Sequence, residues 1–196
     1  MTTTRPTALA AITIALCILA TACTTATDPD PVADRGYERI TEAAIGPGEA
    51  IPAPTGDVVL TITGAITTTN VDGVLALDMD TLESLGLVSY EVDDDQAEGR
   101  RVMFTGVLLS DLLAAAGIAE DAEVLEMTAL NDYVVDVPVA DAEASPVMVA
   151  TMSDEDRMPV SNYGPTRLVY PYDSHDLSPT IHDPRWIWQL ASIDVR

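Results

Sequence analysis

From residue 57 onward the apolar residues come in short runs broken by Gly, Pro and acidic residues, and only one long run is spaced for a helix. Val58–Ile66 (VVLTITGAI) alternates apolar and hydroxyl side chains, the period-two pattern of a half-buried strand. Gly64 marks a bulge within it. Leu87–Val92, Arg101–Phe104, Val124–Leu130, Tyr133–Val137, Pro146–Met152, Arg167–Tyr170 and Trp186–Val195 read as further strands. The clearest helix is Leu108–Ala116 (LLSDLLAAA), closed by Gly117. A shorter helical turn, Thr81–Leu85, has Asp78 or Asp80 as its cap and Gly86 as its stop. Asp93, Asp94, Asp95, Glu98 and Gly99 read as an acidic loop, and Val71–Gly73 and Ser153–Arg157 as turns. Many strands in irregular order with few, short helices make an α+β pattern, mostly mixed β, rather than a doubly wound sheet.

The N-terminal segment has a different character. Arg5 precedes an almost wholly apolar run, Ala8–Ala20. That run is shorter than the roughly 20 residues a spanning helix takes and suits the core of a secretory signal. It ends LATAC, Leu19–Cys23, with small residues at Ala20 and Ala22 directly before a cysteine. This resembles a bacterial lipoprotein box, which predicts a signal peptide over 1–22 and lipidation of Cys23. Plain secretion and an uncleaved anchor are the alternatives. Thr24–Thr55 holds Pro29, Pro31, Pro47, Pro52 and Pro54 among Gly, Asp, Ala and Thr, a composition that buries too little apolar surface to offset its ordering entropy. Residues 23–56 are therefore expected to be a lipidated flexible tether, with Tyr37–Ile45 able to form a short helix, and 57–196 the folded domain. The expected location is extracytoplasmic, at the periplasm or cell surface, held to the membrane by the lipid.

Asp and Glu total 32 against 9 basic residues, a net charge of −23, and every basic residue is Arg. Phosphate backbones demand clustered positive charge, so nucleic acid is not an expected partner. The two cysteines, Cys17 and Cys23, both lie in the N-terminal segment, so the domain has no disulfide, no thiolate metal site, no iron–sulfur ligands and no Cys nucleophile. No CxxCH is present, so no covalent haem is expected. G-x-S-x-G, H-E-x-x-H, a phosphate loop and a dinucleotide glycine fingerprint are all missing.

Several segments carry a resemblance when taken in order. They are VVLTITGAI, then FTGVLLSDLL (Phe104–Leu113), ALNDYVVDVP (Ala129–Pro138), YGPTRLVYPYD (Tyr163–Asp173) and RWIWQLASIDV (Arg185–Val195). The combination of G-V-x-L-x-x-L-L, N-D-Y-x-x-x-x-P, G-P-x-R-L-x-x-P and R-x-x-W-Q-L-x-x-I resembles the small exported members of the oxidoreductase molybdopterin-binding family, over about Asp57 to Arg196. That family has the fold of the sulfite oxidase catalytic domain and of the methionine sulfoxide reductase catalytic subunit. The resemblance implies a molybdopterin cofactor whose metal is held by one cysteine thiolate, about a dozen residues before the glycine that corresponds to Gly106. Counting back lands on Val92–Asp95, where the residues are Val and three Asp. Asp94 is the carboxylate able to stand in as a ligand for a harder metal. The same acids also read as a solvated loop, or as a weak Ca²⁺ site without the glycine spacing of a Ca²⁺ loop.

The resemblance also marks candidates for holding the cofactor. Arg167 and Arg185 are anion contacts in one reading and ion-pair partners of the many carboxylates in the other. Asn131 and Tyr133 either direct hydrogen bonds into a pocket or form an Asn-Asp turn with a core tyrosine beside it. His175 and His182 flank Asp173–Pro184, a loop placed to close over a pocket, and are otherwise exposed loop histidines. Tyr163, Tyr170, Tyr172, Trp186 and Trp188 line an apolar cleft or fill the core. The expected function is a non-catalytic module that uses the family pocket for a small anionic or polar ligand or for an envelope protein partner. The alternatives are a molybdopterin-dependent oxidoreductase with unusual metal ligation, and a structural envelope lipoprotein.

Overall fold

The computed structural model describes residues 1–2, 35–94 and 97–196. Residues 3–22 of the expected signal peptide, Cys23 and the first part of the expected tether lie outside the described residues. No helix among the described residues is long and apolar enough to cross a membrane.

Two sheets form the domain. The first has six strands: β1 (Glu38–Arg39), β4 (Val88–Asp94), β5 (Arg100–Leu108), β8 (Met148–Ser153) and β10 (Arg167–Val169) in that order, with β9 (Asp156–Arg157) pairing β8. The second has five, in the order β3 (Leu75–Asp78), β2 (Val58–Gly64), β11 (Leu190–Val195), β6 (Val124–Ala129) and β7 (Val134–Pro138). Only β2 and β11 run parallel, and every other pairing is antiparallel. Among the described residues four short α-helices connect the strands: α1 (Met79–Glu83), α2 (Leu109–Ala116), α3 (Val139–Ala144) and α4 (Pro179–His182). The expected mixed α+β architecture with few short helices is what the chain adopts.

Alternation along the strands of the first sheet divides its side chains between two cores. Val107, Val149 and Leu168 join the large core, which also takes Leu60, Ile62, Leu125, Met127 and Ile193 of the second sheet. Phe104, Met148, Ala150 and Val169 point to the opposite face and form a smaller core with Tyr90 and Val92. α2 is closed by Gly117 in the left-handed conformation, as its sequence predicts. Asp78 caps α1, accepting a hydrogen bond from the Thr81 amide at 2.9 Å. Gly106 sits where β5 passes closest to β8; a Cβ there would lie 2.2 Å from the Val149 carbonyl oxygen.

Three expectations are corrected. Tyr37–Ile45 forms no helix among the described residues; Glu38 and Arg39 pair with Ser89 and Val88 as an edge strand. The second half of the expected tether lies on the domain. The Ile40 and Ala44 amides donate to the Leu87 and Ser84 carbonyls, Arg39 pairs with Asp111 at 3.1 Å, and Ile51 enters the large core. Sheet-edge hydrogen bonds and one buried Ile offset the entropy that composition alone counts against the segment. Finally, the last strand begins at Leu190 rather than Trp186. Trp186–Gln189 is a crossing segment: Ile187 accepts from the Leu168 amide, Leu190 donates to Thr166, and Gln189 accepts from the Leu130 amide. It links β10 of the first sheet to β6 of the second.

Candidate functional site

The crossing segment borders two adjoining clefts. One, of about 320 Å³, is lined by Asn131 and Tyr133 of the β6–β7 turn together with Asp183, Pro184 and residues 186–189. The other, of about 440 Å³, is lined by Asp93, Asp94, Arg167, Tyr172, Asp173, Pro179, Asp183, Trp186 and Trp188. Asp183, Trp186 and Trp188 border both. Three non-glycine residues around these clefts hold left-handed backbone, Asp132, Tyr163 and Gln189, with φ of 64°, 64° and 52°. Such strain persists only where surrounding structure over-determines it; here the Gln189 amide donates to the Tyr163 carbonyl.

Arg167 is the centre of the larger cleft. It shares a strand face with Val169, which turns its side chain toward Phe104 of the small core. Its guanidinium lies 4.9 Å from the Phe104 ring centre, 5.2 Å from Trp186 and 5.7 Å from Tyr163. Nη1 donates to Asp94 Oδ2 at 3.0 Å, and the two side chains are only 3% and 6% exposed. Nε and Nη2 are buried with no hydrogen-bond partner, as is the indole Nε1 of Trp186. Burial pulls the Arg167 pKa below the ordinary guanidinium value, and the Asp94 charge opposes that shift. The group stays a cation, because arginine does not deprotonate in proteins.

Asp94 is in β4, not in a solvated loop. Its strand continues the alternation of Tyr90 and Val92, so Asp94 points inward while Glu91 and Asp93 are exposed. Asp94 thus faces the Arg167 guanidinium. Among the described residues no group of three or more His, Cys, Asp or Glu side chains is arranged to hold a metal ion.

The remaining candidates disperse. Arg185 pairs with Asp141 at 2.9 Å, and Tyr170 donates to the same carboxylate at 2.7 Å, forming a separate network. Burial and the adjacent Asp141 charge push the Tyr170 phenol well above its usual pKa. His175 accepts or donates at Nδ1 with Ser174 Oγ, His182 Nδ1 donates to the Ser178 carbonyl, and neither lines the two clefts. Asn131 Oδ1 accepts from the Tyr133 amide at 3.2 Å, the expected turn, and Tyr133 is exposed with its hydroxyl donating to the Pro184 carbonyl at 2.9 Å. The structure therefore unites Asp94 with Arg167, and Asn131 with Tyr133, on either side of Trp186 and Trp188. Sequence reading missed Asp173 and Asp183, which reach the cleft from a loop without periodicity. Asp183 accepts from the Tyr172 hydroxyl at 2.6 Å, and Asp173 pairs with Arg101.

The structure is a two-sheet α+β domain with a cleft bordered by the segment that joins the sheets. Residues 66–174 match the oxidoreductase molybdopterin binding domain, and the chain belongs to that family. The chain is also similar to the crystal structure of the sulfane dehydrogenase SoxCD from Paracoccus pantotrophus, with a TM-score of 0.54 and 18% identity. The likeness covers 75% of this chain and 40% of that one, so it concerns the fold and less than half of the larger protein. No curated protein matches.

The residues present do not fit a pterin-bound molybdenum. The domain sequence holds no thiol, and the donors lining the larger cleft are carboxylates, whereas soft thiolate is the sulfur ligand that proteins supply. A pterin phosphate would also face Asp93, Asp94, Asp173 and Asp183 with Arg167 as the one basic residue of the lining. Like charges crowded in one cleft repel one another, which disfavours a phosphate there.

Proposed function

We propose that this protein is an exported lipoprotein, anchored through Cys23, whose domain keeps the family fold as a non-catalytic binding module. It takes a small polar ligand in the cleft beside Trp186 and Trp188. The observation that carries this reading is the buried Arg167–Asp94 pair. Asp94 lies in the Val92–Asp95 window where the family resemblance implies a metal-binding thiolate, and the pair ties the buried Arg167 cation of the cleft to a carboxylate. A half-enclosed cleft with aromatic walls and a few polar groups suits a small molecule.

A second reading keeps the pterin and two-electron redox chemistry; family membership and the unpaired edge of the Arg167 guanidinium, an anion seat, favour it. Elemental analysis of protein purified anaerobically from its native host separates the two. The binding reading expects molybdenum far below one atom per chain. Stoichiometric molybdenum with extractable pterin overturns it. Thermal-shift screening against small polar metabolites tests the ligand itself; a screen with no stabilising compound favours a structural envelope role. Export and anchoring predict palmitate incorporation in growing cells that is lost in Cys23→Ala.

A further inference from the structure

The three buried donors left without partners are Arg167 Nε, Arg167 Nη2 and Trp186 Nε1, and both residues line the larger cleft. Asp94 engages Arg167 at Nη1. What remains is the Nε–Nη2 edge of the guanidinium, whose two parallel N–H groups match two oxygens of one carboxylate. Buried donors without acceptors are costly, so this edge favours a ligand that brings oxygen acceptors. The mouth of the same cleft has the opposite character. Asp93, Asp173 and Asp183 line the cleft with Trp188, a residue that is 37% exposed. Arg101 is the base beside Asp93 and Asp173, and it also serves Glu91. Carboxylates therefore outnumber guanidinium groups at the mouth, next to an aromatic face, which is the environment that attracts an organic cation.

We infer that the ligand of this cleft is a small zwitterion, with a carboxylate on the free edge of Arg167 and an ammonium group at the mouth against Trp188 and the Asp93, Asp173 and Asp183 carboxylates. This rests on the reading of the cleft as a ligand site. A zwitterion resolves the charge conflict that a plain anion meets, because its own cation faces the acidic rim. Trp186 packs over the guanidinium and is the ring displaced as the carboxylate reaches the fork.

The test is calorimetric titration of the full chain with a ladder of ω-amino acids from glycine to 6-aminohexanoate, and with glycine betaine. Matched fatty carboxylates and alkylamines are the one-charge controls. At least one zwitterion is expected to bind ten-fold or more tightly than either control of equal length, with a change in tryptophan fluorescence. Its affinity falls at least ten-fold in Asp183→Asn and in the double variant Arg167→Met/Asp94→Leu, which removes the fork without leaving a buried unpaired charge. Equal binding of the carboxylate alone overturns the ammonium half of the assignment, and equal binding of the amine alone overturns the Arg167 half. Silence of the whole ladder beside clear binding of another polar metabolite overturns the zwitterion and leaves the ligand site standing. Silence toward every compound overturns both.

Discussion

Arg167 and Asp94 hold each other inside the domain, and the pair decides what either residue can do. Removing one member leaves a buried charge without its partner, a loss of about 3–5 kcal/mol, whereas replacing both with apolar residues of similar size is close to neutral. Asp94→Ala is therefore expected to lose about 3–5 kcal/mol in urea denaturation, and Asp94→Leu with Arg167→Met to recover most of it. Recovery no better than the single variant would show that the pair contributes specific binding energy beyond charge neutralisation. Asp78 is a second case. Hydrogen bonds from Thr81, then Gly56 and Thr55, hold its carboxyl well below the ordinary aspartate pKa. A depressed carboxylate favours the fold above its unfolded pKa near 4, and that contribution disappears as pH falls through the lowered folded value. Asp78→Asn keeps a capping oxygen and removes the charge. It is expected to melt below the parent at pH 7 and to converge with it as the solution is acidified below about pH 4. A gap that persists unchanged at low pH would exclude the linkage.

At the scale of elements, the β5–β8 contact depends on the lack of a side chain at Gly106. The pairing shifts register between Thr105 and Gly106, and an added Cβ meets the Val149 carbonyl and Ala150 Cα at 2.2 and 2.5 Å. Both are backbone atoms and cannot rotate away. Gly106→Ala is expected to destabilise by about 1–3 kcal/mol, the usual range for overpacking, and to speed hydrogen exchange of β8 amides. A neutral result would mean that the bulge absorbs a methyl group. The helix α2, the strands β2 and β6 and a cap at Asp78 or Asp80, of which Asp78 serves, were legible because each depends on neighbours a few residues away. β4 was legible in type but not in extent. The alternation of Tyr90 and Val92 carries on to Asp94, yet an inward-facing carboxylate contradicts the pattern unless a cation waits inside, and that cation stands 73 residues later. α3 was missed because its apolar positions, Val139 and Ala142, make too short a stripe to separate from a loop.

The whole molecule carries a charge of −23, so its compact state works against its own repulsion. Added salt screens that repulsion, with a Debye length that falls from about 30 Å at 0.01 M to about 8 Å at 0.15 M. The melting temperature is expected to rise over that interval in sodium chloride, and to rise equally in potassium chloride; a rise specific to one cation would point to site binding instead. The local pattern of apolar residues determined the α+β class, the short helices and their stops, since periodicity, caps and left-handed glycines act over one or two turns of chain. The motif order, with its missing thiol, was sufficient for the family. Tertiary structure alone decided which carboxylate meets Arg167, which edge of that guanidinium stays unpaired, and that Asp173 and Asp183 gather at the cleft mouth. Those facts depend on how two sheets and their crossing segment converge, and electrostatics in a folded chain follow distance through space rather than separation along the sequence.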